Sequence, residues 1–406
     1  LRTAEFLWQE GHTAHATEDE AREESLKMLD IYEEFARDIA AVSVVKGTKS
    51  EMEKFAGATT TYSIEAMMND LKALQAGTSH ELGQNFSKAF DIKFSDENNK
   101  LQHPFQTSWG VSTRLVGMII MAHGDDKGLK LPPELAPHQV VIVPIIPNED
   151  ERSRVLNAVN KLIESLDDVR VFIDDRPEVS PGFKFNEWEQ KGVPIRIEVG
   201  PKDIDNGSVL IYRRDDESKE QYPFEGIDKL VVNTLNDIQK NLLITSENTV
   251  KSNTYHVDSY DDLIDTLNDK KGFVSCYWDE NKEDEIKVKE KTSATLRCYP
   301  INNKEIEKVA SLLKKIDFDL STAVHTEISN GADDLNALES KLNLWLDATN
   351  TNGTSNNGIT NNATIASWLD LSGNGNDLSQ PNTNMQAKLN NTYPIITINT
   401  SYNNYI

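Results

Sequence analysis

RTAEFLWQEGHTAHA, residues Arg2–Ala16, runs into TEDE, residues Thr17–Glu20, and this junction sets how the chain begins to fold. The first stretch is extended and carries aromatic residues. Side chains two apart on a strand share a face, so Trp8, Glu10 and His12 converge on one side. Thr17 reads as a helix N-cap, and Glu20, three residues on, completes a capping box. Beyond it Ala21, Leu26, Leu29, Ile31, Tyr32, Phe35, Ile39 and Ala40 recur near helical spacing. That spacing predicts an amphipathic helix to about residue 41.

Working outward, residues 50–95 alternate short apolar runs with Gly and Thr-Ser clusters, the punctuation of strands and tight turns. In HPFQTSWGVSTRLVGMIIMAHGD, from His103, Gly110 reads as a strand-to-helix turn with Val111–Ala122 as a buried helix behind it. Pro132, Pro133 and Pro137 mark a linker. From His138 the order becomes strand, helix, strand, helix, strand, through QVVIVPII, ERSRVLNAVNKLIESL, VRVFID, FKFNEWEQKG and PIRIEVG. Alternation at this spacing favours a small α/β domain with a partly parallel sheet, ending near Leu243. Residues 244–300 offer a helix at DSYDDLIDTLND and strands at GFVSCYW and SATLRCYP, and residues 301–341 read as a helical linker. From Leu342 the composition shifts, with sixteen Asn in the last 65 residues and hardly any charge.

The 406 residues suggest roughly two to four domains. With 38% hydrophobic and 27% charged residues the chain has the composition of an ordinary folded protein. No apolar run approaches the roughly 18 residues of a membrane span, and the default address is the cytoplasm. The two cysteines, Cys276 and Cys298, exclude a disulfide framework and a four-thiolate zinc site, and leave only half of a mixed site. A net charge of -24 opposes nonspecific binding of polyanions, although a local groove on an acidic protein is still free to be basic.

Four stretches carry chemistry. The first holds Arg2, whose planar, permanently charged guanidinium pairs with two phosphate oxygens at once. The second is KFAGATTTYSIEAMM, followed by KALQAGTSHELGQNFSKAFDIKF at Lys72–Phe94, where short polar side chains and Gly77 suit close approach of the backbone to a ligand. The third is TSWGVSTR at Thr107–Arg114, where a helix start adds N–H groups and the positive dipole end. The fourth, RPEVSPGFKFNEWEQKGVPIRIEVGPKD, offers Lys184, Trp188, Lys191 and Arg196, cations and an aromatic of the kind RNA loops use.

In this order these stretches resemble the prolyl-tRNA synthetases of class II, archaeal/eukaryotic-like type. The resemblance implies an α/β multidomain fold. It comprises a partial catalytic domain on an antiparallel sheet over residues 1–137, an α/β anticodon-binding domain over 138–243 and a small α+β carboxy-terminal module over 244–300. It further implies that Arg2 and Arg114 are catalytic and that Arg2, Thr3, Gln75, Thr78, Ser112 and Arg114 bind ATP. Trp8, Glu10, His12, Phe55, His80, Ser108, Trp109 and Gly110 would bind proline, and Lys184, Trp188, Lys191 and Arg196 would bind tRNA(Pro). ATP, Mg2+ and L-proline are the implied small molecules, a homodimer the implied assembly, and no carboxylate cluster identifies a metal site.

The family's first motif, its proline-recognition loop and the first arginine of its second motif would precede Leu1. An amino-terminally incomplete, poorly active chain is therefore expected. About 110 residues between Arg2 and Arg114 leave no room for an editing domain in cis. Residues 342–406, with LWLDATN, SWLDLSGNGNDLSQ and YPIITINTSYNNYI, resemble the opening strands of a concanavalin- or laminin-G-like module and are expected to form an Asn-rich β-type tail separate from the enzyme. The activity implied is proline-tRNA ligation. A noncatalytic tRNA-binding paralogue and a carbohydrate-binding fusion are the competing readings.

Overall fold

The computed structural model describes residues 6–278 and 280–301, together with five short strands between residues 364 and 399. Arg2 and Thr3, residues 302–341 of the expected linker and most of the Asn-rich tail lie outside the described residues.

The first strand, β1 (Trp8–His15), leads through Thr17 into α1 (Glu18–Glu34). Both halves of the capping box form: the Thr17 hydroxyl accepts the Glu20 N–H, and the Glu20 carboxylate accepts the Thr17 N–H. The helix continues as a single π-helical stretch, Phe35–Ile39, so the expected end near residue 41 holds with a change of pitch. There follow β2 (Val44–Thr48), β3 (Thr60–Met67), β4 (Ala73–Gly83), α2 (Asn85–Ala89), β5 (Phe94–Ser95), β6 (Leu101–Gln102), β7 (Phe105–Ser112) and α3 (Arg114–His123). Strands β1-β7-β4-β3-β2 are neighbours in that order, every pair antiparallel. One face of this sheet receives α1, whose buried Ser25, Leu29 and Tyr32 lie along it.

Gly110 departs from expectation. It lies inside β7, and the helix begins only at Arg114. A glycine in mid-strand marks close approach rather than a turn. Helix α3 is also less buried than expected: Met118, Ala122 and His123 face inward while Val116, Ile120 and Met121 are exposed.

The second part alternates as the sequence requires: β8 (Val140–Pro144), α4 (Glu149–Glu164), β9 (Val171–Ile173), α5 (Pro181–Gln190) and β10 (Ile195–Val199). Then come α6 (Pro201–Asp205), β11 (Ser208–Arg213), β12 (Lys219–Pro223) and α7 (Ile227–Ser252). The sheet order is β12-β11-β10-β8-β9, parallel among β10, β8 and β9 and antiparallel beyond. Strands β8 and β10 are buried at every position, which suits the apolar run VVIV of β8, while in IRIEV of β10 Arg196 and Glu198 are enclosed as a pair. Helix α7 runs straight through the boundary expected near Leu243.

The third part has β13 (Thr254–His256), α8 (Tyr260–Asp269), β14 (Phe273–Tyr277), α9 (Lys282–Thr292) and β15 (Thr295–Pro300). Strand β15 pairs with β2 and so extends the first sheet. On its other side β15 pairs with the strand Ile395–Asn399, a departure from a tail wholly separate from the enzyme. Elsewhere in the tail Thr364–Ile365 pairs with Ala387–Lys388 and Ser367–Trp368 with Leu378–Ser379, two-residue ladders.

Candidate functional site

The face of the first sheet away from α1 gathers the sequence-predicted residues. Across β1, β7, β4 and β3 one row reads His12, Ser108, His80, Thr61 and the next reads Glu10, Gly110, Thr78, Ser63. Trp8 and Ser112 oppose each other in the row beyond. Period-two alternation puts all of these on one side. A bulge at Ala76 re-phases β4, because Ile64 pairs with Gly77 but Glu65 with Gln75, so Gln75 also joins this face.

Gly110 occupies the middle strand between Glu10 and Thr78, and its missing side chain leaves a trough there. On one wall the Glu10 carboxylate lies 3.1 Å from His12 Nε2, with the imidazole largely exposed. On the other, the His80 ring sits 5.1 Å from the Phe55 ring, centre to centre. Burial holds His80 down at about 4, so the ring is neutral at physiological pH. At the α3 end Arg114 donates through Nη1 to the Gln75 carbonyl at 3.1 Å, and the Arg114 N–H donates to Ser112 Oγ at 3.2 Å. Trp8 is exposed, its ring edge-on to Phe6.

Trp109 is not brought to this face. Its indole lies on the α1 side against Gly11, where a Cβ would come within 2.2 Å of the indole Nε1. Strand alternation enforces this, since Trp109 sits between Ser108 and Gly110. The expected grouping of the three therefore splits.

Residues that the sequence did not single out close the far end of the face. Glu65 is fully buried, and desolvation works against its charge. Lys49 and Arg297 nevertheless hold its carboxyl below the ordinary range. Its Oε1 accepts from Lys49 Nζ at 2.7 Å and from Ser63 Oγ at 2.9 Å, and its Oε2 from Arg297 Nη2 at 2.6 Å and Nε at 3.0 Å. Lys49 also donates to the Arg297 carbonyl at 2.7 Å. A lysine in KGTKS and an arginine in TLRCYP read as surface cations; only the pairing of β15 with β2 brings them together.

In the second part, the surroundings of the predicted tRNA contacts differ from expectation. Lys184 is buried and donates to the Asp174 carbonyl at 2.9 Å, and Trp188 donates through Nε1 to Asp174 Oδ2 at 2.9 Å. Arg196 is buried between the Phe185 and Tyr212 rings and paired with Glu198 at 3.0 Å. All three side chains thus have partners inside the chain. Lys191 alone of the four has an exposed head, 4.5 Å above the Trp188 ring. Both cysteines are free, buried thiols, pushed up to about 12 by burial. Among the described residues no group of three or more His, Cys, Asp or Glu side chains is placed to hold a metal ion. No helix among them is long and apolar enough to cross a membrane.

Comparison with known proteins finds three successive domain matches along the chain. Residues 1–123 match the class II tRNA synthetase core domain (G, H, P, S and T), residues 139–234 the anticodon binding domain, and residues 260–313 the prolyl-tRNA synthetase C-terminal domain. The chain is 53% identical over 302 residues to a proline--tRNA ligase of Natranaerobius thermophilus, covering 74% of this chain and 62% of the relative. It is 52% identical over 304 residues to that of Flavobacterium johnsoniae, with coverages of 74% and 62%. The crystal structure of prolyl-tRNA synthetase from Cryptosporidium parvum, complexed with L-proline and AMP, superposes with a TM-score of 0.70 at 43% identity, covering 74% of this chain and 66% of that one. The chain thus spans about three fifths of the length of the curated relatives it matches. With three successive domain matches and half of the aligned residues identical, the chain is homologous to the class II prolyl-tRNA synthetases.

Proposed function

We propose that the chain carries the amino-acid-activating face and the anticodon-binding part of a proline-tRNA ligase. The observation that carries this reading is the meeting of three separated sequence motifs in two rows around Gly110. A small zwitterion fits such a trough: Glu10 meets its ammonium, Trp8 and Phe55 offer apolar walls to the pyrrolidine ring, and His80 faces its oxygens. Ser108, adjacent to His80, narrows the floor. Ser112, Thr78, Gln75 and Arg114 form the nucleotide end, and Arg2 and Thr3, which lie outside the described residues, are assigned to ATP by their motif alone. In the reaction a proline carboxylate oxygen attacks the ATP α-phosphorus, giving prolyl-adenylate and pyrophosphate, and the prolyl group then passes to the terminal adenosine of tRNA(Pro). The chain contributes positioning and charge neutralisation, the main levers in phosphoryl chemistry.

Magnesium enters this reading as part of the nucleotide substrate. On the ligand face Glu10 is engaged by His12 and Glu65 is enclosed by Lys49 and Arg297, so the described side chains do not assemble a resident metal site. In the anticodon-binding part Lys191 is the contact retained, with Lys184, Trp188 and Arg196 shaping the surface beneath it. The reading carries with it a cytoplasmic address and a homodimer, as in the family.

Calorimetric titration of the 406-residue chain with a prolyl-adenylate analogue tests the reading. Gly110→Val stands a branched side chain between Glu10 and Thr78 and is expected to weaken binding about tenfold or more, over 1.4 kcal/mol. Unchanged affinity in the variant would remove the trough from the proline site.

A further inference from the structure

Thr61 is the last of the three successive threonines 59–61 at the start of β3, directly opposite His80 in the register, and it is almost wholly buried. Its Oγ1 lies 3.0 Å from the Phe55 backbone nitrogen and 2.9 Å from His80 Nδ1. A backbone N–H only donates, so the Phe55 contact uses one oxygen lone pair and leaves the hydroxyl proton to be placed. Among the described residues the remaining acceptor within reach is His80 Nδ1. The opposite assignment, with Nδ1–H pointing at Thr61, gives the hydroxyl two donors and leaves its own proton without an acceptor at a dry position. A neutral imidazole that accepts at Nδ1 carries its proton on Nε2. No described side chain takes that proton.

We propose that Thr61 is a positioning residue, which fixes His80 as the Nε2–H tautomer and ties it to the Phe55 loop, so that the free N–H recognises an oxygen of a bound carboxylate or acyl-adenylate. The ligand half of this proposal rests on the function proposed above; the tautomer half rests on the hydrogen bonds alone. One hydroxyl serves two pocket residues: it anchors the loop that places the Phe55 ring against the imidazole, and it orders the imidazole itself. The depressed basicity of His80 agrees with a ring kept neutral through the working pH range.

Long-range proton–nitrogen correlation spectra of the 406-residue chain, labelled with nitrogen-15 in its histidines, read the tautomer at pH 7. His80→Gln identifies the signal by its loss. The wild type is expected to show protonated Nε2 and bare Nδ1, Thr61→Ser to keep that pattern, and Thr61→Val to give a mixture of tautomers. Thr60→Val, on the neighbouring face of the strand, is expected to leave the spectrum unchanged. A protonated Nδ1 in the wild type overturns the proposal without recourse to any variant, and so does an unaltered tautomer in a folded Thr61→Val. In calorimetry with a prolyl-adenylate analogue, Thr61→Val is expected to bind about tenfold more weakly, as the loss of one buried hydrogen bond implies, with Thr61→Ser restoring affinity. A wild-type chain that binds no analogue refutes the ligand half together with the proposed function, while the spectrum still decides the tautomer.

Discussion

Arg297→Met is expected to destabilise the chain severely, although the arginine lies in the third part of the chain and far in sequence from the site. Its Nε and Nη2 both donate to Glu65 Oε2, and that oxygen has no other donor among the described residues. Removing the guanidinium strands half of a fully buried carboxylate, whereas Oε1 keeps Lys49 and Ser63. Breaking a buried pair by deleting one partner costs about 3–5 kcal/mol, mostly the penalty of the charge left behind. At about 2–4 °C per kcal/mol, the scale for a unit of roughly 150–250 residues, the midpoint of thermal unfolding falls by roughly 6–20 °C. Urea unfolding followed by fluorescence measures the loss directly. Adding Glu65→Gln to Arg297→Met removes the stranded charge and is expected to recover about half of the loss or more, a non-additivity that marks direct coupling. The sign with pH follows from the depressed carboxyl of Glu65: its contribution is fully present above the ordinary glutamate value of 4.5 and is lost as pH falls below it. The gap between wild type and Arg297→Met is therefore constant at neutral pH and narrows in acid. A loss under about 1 kcal/mol, or a Glu65→Gln change that adds to the damage, would refute the argument.

Arg114→Ala is expected to weaken ATP binding about 10- to 100-fold, the value of a charge-assisted hydrogen bond, while filter binding shows tRNA affinity unchanged. Gly11→Ala drives a methyl group into the buried Trp109 indole and is expected to cost about 1–3 kcal/mol in urea unfolding. His80, held at about 4, binds its proton more weakly folded than unfolded, so stability falls as pH drops from 6.5 towards 4. His80→Gln is expected to remove about 1.4 kcal/mol per pH unit of that slope, readable from urea midpoints across the window.

The parts of the fold that rest on local chemistry were legible in the sequence. Thr17 and Glu20 form the capping box, and the apolar runs from Val140 to Val199 alternate with helices as their lengths require. On the ligand face, Trp8, Glu10 and His12 share a side because β1 is regular. What was hidden depends on phase and on partners. Gly110 punctuates the sequence like a turn, yet in a central strand its value is the space it leaves. Trp109 was grouped with its neighbours, and alternation sends it to the opposite side. Gln75 and Thr78 are three apart, a spacing that splits them across a regular strand; the bulge at Ala76 reunites them. Thr61 cannot be told from Thr59 and Thr60 until the strand register is known. Lys184 and Arg196 look like solvated cations because their partners, Asp174 and Glu198, become enclosed only when the sheet and α5 close over them.

The contact between Glu65 and Arg297 spans 232 residues of chain. During synthesis at about 5–20 residues per second, the sheet strand carrying Glu65 emerges roughly 10–50 s before its arginine partner exists. Until then Lys49, sixteen residues away, is the one member of the pair of counter-charges already made. Burial of this carboxylate is thus a late event, and the nascent first sheet keeps that edge wet until β15 arrives to dock. The last-made strand acts as a completion check on the first-made one, and a chain that stops short of it leaves the newly formed sheet with a charged, unzipped border for chaperones and proteases to find.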